Sequence, residues 1–305
     1  MTIRLGLQIN NFSYGTPVAD LFPTVIAQAK EADTSGFDSV FLMDHLYQLP
    51  GIGTPDQPML EAYTALGALA AVTEGVLLGT LVTGNTYRNP TLLAKIITTL
   101  DVVSQGRAVL GIGTGWFELE HDQLGFEFGT FTERFAKLDE ALEVILPMIR
   151  GERVSFSGEY YRTVEAFAEP RYRDHIPLMI GGSGEKKTFG LAARYFDHLN
   201  IIASFAELPG KVAALARRCE EVGRDPATLE TSMLLTAVPD ASMTDDMLPG
   251  EMRGRMVVGS PEKIAEAVQT NVVDAGIDGV IINIPVYVPG SISAVGEALR
   301  PVVGV

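Results

Sequence analysis

The chain alternates between two kinds of hydrophobic pattern. Short runs of consecutive apolar residues are each followed by a longer stretch in which apolar positions recur every three or four residues. These are the spacings of a buried strand and of an amphipathic helix. "RLGLQIN" leads into "ADLFPTVIAQAKEADTSG", "SVFLMDH" into "MLEAYTALGALAAVT", "VLLGTLVT" into "NPTLLAKIITTLDVVS", and "AVLGIGTG" into "TERFAKLDEALEVILPMIR". The second half continues with "PLMIGGS" and "GEKKTFGLAARYF", "HLNIIA" and "AELPGKVAALARRCEEVG", "TSMLLTAVP" and "SPEKIAEAVQTNVVDAG", then "GVIINIP" and "SISAVGEALRPVV". The strands are apolar throughout rather than alternating, which suits parallel strands covered on both faces. Eight strand–helix units in 305 residues predict one α/β domain over 1–305, a (β/α)8 TIM barrel, with a doubly wound open sheet as the alternative. Two segments fall outside the repeat and are expected as insertions. Residues 154–167 read as a hairpin and 240–255 as a loop before the seventh helix.

A barrel of this kind carries its chemistry at the C-terminal ends of the strands. Asn10, Asn11, Asp44, His45, Thr80, Thr83, the stretch Gly113 to Glu120 and the run Gly181-Gly182-Ser183-Gly184 are therefore expected around one mouth. The glycine run joins an apolar strand to a helix that opens with Lys186 and Lys187. Bare backbone at a helix start suits an anion, whose oxygens approach free N–H groups. A tight turn that needs only glycine dihedrals would read the same way. Ser183 suits a phosphate donor better than a nucleophile, because no G-x-S-x-G elbow is present. His45 is the natural proton donor near neutral pH, with Asp44 beside it. Glu120-His121 reads either as a second acid/base pair or as a pair that orients its neighbours. Trp116 is the only tryptophan. No ligand spacing such as H-E-x-x-H appears, so no metal site is expected.

Composition narrows the partners. A net charge of −15 argues against a nucleic-acid binder and requires any anionic ligand to be met by local donors. Cys219 is the one cysteine, so no disulfide framework or cysteine metal cluster is expected. The N-terminus enters a strand pattern without a signal-peptide run, and the charge-free stretch Gly279 to Gly296 is broken by Pro285, Pro289 and Gly290. A cytoplasmic protein with no membrane partner is expected. The second and third helices are apolar around more of their circumference than one buried face needs; the third carries Leu92, Leu93, Ile96, Ile97, Leu100, Val102 and Val103. This predicts a homodimer through that side.

Taken together, Asp44-His45, "GTLVTGNTYRNP" (79–90), "LGIGTGWFELEHDQLG" (110–125), "IGGSGEKK" (180–187) and "VVGSPEKIAEAV" (257–268) resemble the bacterial luciferase-like oxidoreductases over nearly the whole chain. Within that superfamily the sequence looks most like the branch that uses coenzyme F420, a 5-deazaflavin with a phosphodiester and an oligoglutamate tail. The resemblance implies hydride transfer between reduced F420 and a small organic substrate. It implies Gly181, Gly182, Ser183 and Gly184 as the cofactor-phosphate loop, with Lys186 and Lys187 near the anionic tail. Asp44, Thr80, Leu81, Thr83 and Gly113 would meet the ring system, and a non-proline cis peptide is expected at Thr80–Leu81. His45 or Glu120 would handle the proton. The sugar-phosphate dehydrogenases of this branch carry a catalytic glutamate where this chain has Trp116, which points instead to an apolar or planar substrate such as an unsaturated carbonyl, an imine or a quinone-like compound. A flavin mononucleotide (FMN) monooxygenase on the same barrel is the alternative, and a non-catalytic flavin or deazaflavin carrier is a third reading.

Overall fold

The computed structural model describes residues 3–248 and 250–304 of the chain. Its strands in chain order are β1 (Leu5–Ile9), β2 (Ser39–Leu42), β3 (Leu77–Thr80), β4 (Thr83–Gly84), β5 (Ala108–Gly113), β6 (Val154–Ser157), β7 (Arg162–Ala166), β8 (Leu178–Gly181), β9 (His198–Ile201), β10 (Glu230–Val238), β11 (Met256–Val258) and β12 (Gly279–Asn283). Its helices are α1 (Val18–Thr34), α2 (Ala62–Ala70), α3 (Pro90–Val103), α4 (Glu118–Leu124), α5 (Phe131–Ile149), α6 (Lys187–Tyr195), α7 (Leu208–Glu221), α8 (Pro261–Val268) and α9 (Ser291–Val303).

Eight parallel strands close into a barrel in the order β12-β1-β2-β3-β5-β8-β9-β10, and β10 returns to β12. An open doubly wound sheet has two unpaired edges, and here the β9–β10 and β10–β12 pairings remove them. Each barrel strand is followed by one of the helices predicted from its periodicity. Phe41, Leu77, Val109, Met179 and Ile281 fill the interior, while the larger cluster packs the strands against the helix ring. The interior leaves little room: a Cβ at Gly111 would lie 2.0 Å from the carbonyl oxygen of Thr80.

Local signals set the helix starts. Ser260 caps α8 ahead of Pro261, and Asn89 caps α3 ahead of Pro90. Thr130 and Glu133 form a reciprocal capping box on α5. The strand-four loop holds one element that its pattern did not mark, the two-turn helix α4, stopped at Gly125 in a left-handed conformation (φ 78°). Strands β6 and β7 pair antiparallel in a sheet of their own. Segment 240–255, in which residue 249 lies outside the described residues, carries short 3-10 turns at Asp245–Met247 and Gly250–Met252 before β11 joins the edge of β10. Among the described residues no helix is long and apolar enough to cross a membrane.

Candidate functional site

The C-terminal ends of β2, β3, β5 and β8 open into a cleft of about 890 Å3. Its first wall is a break in β3. Gly79 pairs with Val109 and Thr83 with Ile112, so residues 80–82 on one strand stand against 110–111 on the other, a β-bulge. Leu81 and Val82 project from the bulge into the cleft, and Gln8 Nε2 donates to the Leu81 carbonyl at 3.1 Å. The cis peptide lies at Leu81–Val82, one residue later than the expected Thr80–Leu81. The cause is register: the Leu81 N–H still bonds the Leu42 carbonyl at 2.9 Å, so regular pairing with β2 persists through Leu81 and the extra residue falls beyond it.

Thr80 does not line the cleft. Its hydroxyl turns into the barrel wall, 2.6 Å from the Thr83 hydroxyl and 3.1 Å from the Gly111 carbonyl. Tyr63 closes this chain with a 2.6 Å bond to Thr83, and burial, with Asp44 nearby, pushes its phenol up to about 12.

Asp44 and His45 follow β2 and both reach the cleft. Asp44 is buried and accepts a two-pronged bond from Arg88, at 2.6 and 2.9 Å, and the Gly84 N–H at 3.1 Å. Burial raises its carboxyl above the ordinary range and Arg88 opposes the rise. Burial also works against the Arg88 charge, but Asp44 and Glu61 outweigh it and hold the guanidinium well above its usual value. Arg88 is thus a committed countercharge rather than a cation available to a ligand.

Glu120, on α4, lies beneath His45 and outside the cleft, fully buried. Its Oε2 faces His45 Nδ1 at 2.9 Å and accepts the Tyr87 hydroxyl; its Oε1 accepts the N–H groups of Leu46 (2.5 Å) and Tyr47 (2.8 Å). Burial alone would raise this carboxyl. The His45 and Tyr87 bonds overcome that and hold it below its ordinary value. Neighbouring His121 is spent elsewhere, with Nδ1 2.8 Å from the Phe117 carbonyl and Nε2 2.7 Å from Thr86 Oγ1. Above His45 stands Trp116, ring centroids 5.6 Å apart, 59% exposed. Arg134 holds its loop through the Gly115 carbonyl at 3.1 Å.

The far wall is the glycine loop between β8 and α6. Gly181, Gly182, Ser183, Gly184, Lys186 and Lys187 all line the cleft, as does Gly113. Gly182 has φ 142°, which side-chain-bearing residues rarely adopt. Its N–H is used by the Asn200 carbonyl. Among the described residues nothing accepts the N–H groups of Ser183, Gly184 or Glu185, which leaves three consecutive donors. Lys187 lies over the rings of Phe131 and Phe135, 5.1 and 5.0 Å from their centroids. Sequence reasoning missed Arg88, although it sits in the quoted "TGNTYRNP", and missed the apolar lining by Val82, Ile202 and Leu234. It also missed Lys211 on α7, whose Nζ reaches the Ser183 carbonyl at 3.1 Å and which no motif marks.

Fold and site define a TIM-barrel protein whose cleft holds a glycine loop with unused N–H groups and a histidine paired with a buried glutamate behind it. The chain belongs to the luciferase-like monooxygenase family, whose family model matches residues 4–247. It is 37% identical over 238 residues to a protein of Nakamurella multipartita named F420-dependent glucose-6-phosphate dehydrogenase, covering 76% of this chain and 66% of that one, just under two thirds of the relative's length. A protein of the same name from Kineococcus radiotolerans is 32% identical, with 84% and 86% covered. Among solved structures, an F420-dependent secondary alcohol dehydrogenase in complex with an F420–acetone adduct superposes with a TM-score of 0.82 over 99% of both chains at 22% identity, a likeness of fold.

Proposed function

We propose that this protein is an oxidoreductase that uses coenzyme F420 to pass a hydride to a small organic acceptor, an ene, an imine or a quinone-like compound. The observation that carries the reading is the set of unused N–H groups at Ser183, Gly184 and Glu185 with Lys186, Lys187 and Lys211 around it, in the same cleft as His45. Three oriented donors and three ammonium groups answer a phosphate followed by further negative charge. The loop and the ring edge are close-packed at two glycines: a Cβ at Gly184 would come 3.0 Å from Thr188 Oγ1, and one at Gly113 would come 3.0 Å from Val82 Cγ2, so a side chain at either would push its neighbour. The relatives' names point to the same cofactor.

When bound, a reduced 5-deazaflavin supplies a hydride. The chain's own residues do the rest. Gly181, Gly182, Ser183, Gly184 and Lys187 would hold the phosphate end; Leu81, Val82, Thr83, Gly113 and Asp44 would wall the ring end, with Thr80 fixing the bulge from behind. Glu120, an ionised acceptor, takes the proton-bearing Nδ1 of His45 and leaves Nε2 as the ring nitrogen facing the acceptor. With Nδ1 held by Glu120, Nε2 would be the atom through which His45 supplies a proton to the acceptor, water at the mouth returning it. Glu120 is then a positioning residue and His45 the proton donor.

FMN is the second cofactor candidate, since its phosphate would occupy the same donors. Three lysines exceed what one phosphate needs, and this favours F420. Fluorescence titration of the purified protein with F420 and with FMN tests the choice: tighter binding of FMN would reverse it. We further propose a homodimer through α2 and α3, on the strength of Leu92 and Val103, which stand about half-exposed on the outer face of α3.

A further inference from the structure

Lys211 belongs to α7, far in sequence from the glycine loop, yet its ammonium rests against that loop. It donates to the Ser183 carbonyl at 3.1 Å and pairs with Glu185 Oε1 at 2.9 Å. The carbonyl bond fixes the plane of the Ser183–Gly184 peptide, and with it the direction of the unused Gly184 N–H. The two partners of the ion pair are unequal. The Lys211 side chain is 14% exposed, whereas that of Glu185 is 47% exposed and can be returned to water at little cost. Arg218 Nε separately holds the Glu185 carbonyl at 3.0 Å, so the carboxylate can swing away while the backbone stays.

We propose that Lys211 is a cofactor-binding residue whose ammonium leaves Glu185 for the anionic group seated on the Ser183–Gly184–Glu185 donors. Glu185 is the internal counterion that keeps the ammonium poised until then. The inference rests on the reading of this cleft as a cofactor site. It adds a contact from the sixth β–α unit to a cradle otherwise built from the fifth. In a chain of net charge −15 it also explains how local charge draws in a polyanion.

The test compares wild type, Lys211→Met and Glu185→Gln for binding of F420 and of the deazaflavin chromophore lacking the phosphate and tail, by fluorescence and calorimetry. Lys211→Met is expected to weaken F420 binding by about tenfold to a hundredfold, the worth of one charge-assisted hydrogen bond. Glu185→Gln is expected to tighten it, because the competing carboxylate is gone. Chromophore affinity should be unchanged in both. Unchanged F420 affinity in Lys211→Met overturns the proposal. So does an equal loss for F420 and chromophore, which would make Lys211 a mere prop of the loop. If wild type itself binds no F420, the cofactor reading fails instead, and the two failures are told apart.

Discussion

Oε2 of Glu120 lies 2.9 Å from Nδ1 of His45, and the same carboxylate also gathers the Leu46 and Tyr47 N–H groups and the Tyr87 hydroxyl. One buried acceptor therefore sets both the loop after β2 and the tautomer of the histidine on it. Replacing His45 with Ala should lower the rate of hydride transfer by about 100- to 10,000-fold while leaving F420 affinity within a few fold. Stopped-flow reduction of an enone by enzyme-bound reduced F420 measures both. Retained rate would assign the proton to water.

Glu120→Gln should lower activity less than His45→Ala, and it should shift the pH profile of the rate because the His45 partner is no longer ionised. It should also alter acid stability. The folded-state carboxyl value lies below the unfolded one, so the Glu120 contribution is complete above about pH 4.3 and is lost as the pH falls through the folded value. The variant should show a shallower loss of thermal stability on acidification below about pH 4.3. An identical acid limb in both proteins would contradict this.

Arg88→Met leaves Asp44 buried without its guanidinium. Breaking such a pair from one side costs about 3–5 kcal/mol, and the melting temperature should fall accordingly. A variant as stable as wild type would mean that Asp44 takes a proton at no cost.

Trp116 stands against His45, and Val82, Ile202 and Leu234 add apolar lining to the same cleft, while its lysines gather at the glycine loop. Glucose 6-phosphate should not be oxidised, whereas neutral planar enones should be reduced. Trp116→Ala should raise KM for such acceptors by about tenfold, the worth of one aromatic contact, with a smaller change in kcat. Turnover of glucose 6-phosphate in a coupled F420 fluorescence assay would reverse the assignment.

Leu92→Asp combined with Val103→Asp should give a monomer by light scattering at micromolar concentration, with the barrel's circular dichroism unchanged, because neither side chain is in the core. An unaltered mass would move the interface elsewhere or remove it.

The eight β–α units and their order were legible in the sequence, because hydrophobic periodicity reports local burial. So was the gathering of Asp44, His45, Gly113 and the glycine loop at one mouth, which follows from the rule that barrel strands end there. The cis bond was misplaced by one residue, since the register of β3 against β2 is a property of the pair of strands and not of either alone. Thr80 is turned into the wall by the ordinary pleat of β3, two residues on from Leu78, which packs outside the barrel, while Leu77 and Leu81 face its interior. Arg88 on Asp44, Lys211 on Ser183 and Glu120 beneath His45 join residues distant in the chain. Such partnerships depend on the closed barrel, which brings separate loops within hydrogen-bond reach and removes the water that would otherwise satisfy each group alone. What a segment becomes is set by its own pattern of apolar and capping residues; which charge answers which is decided only when the strands close.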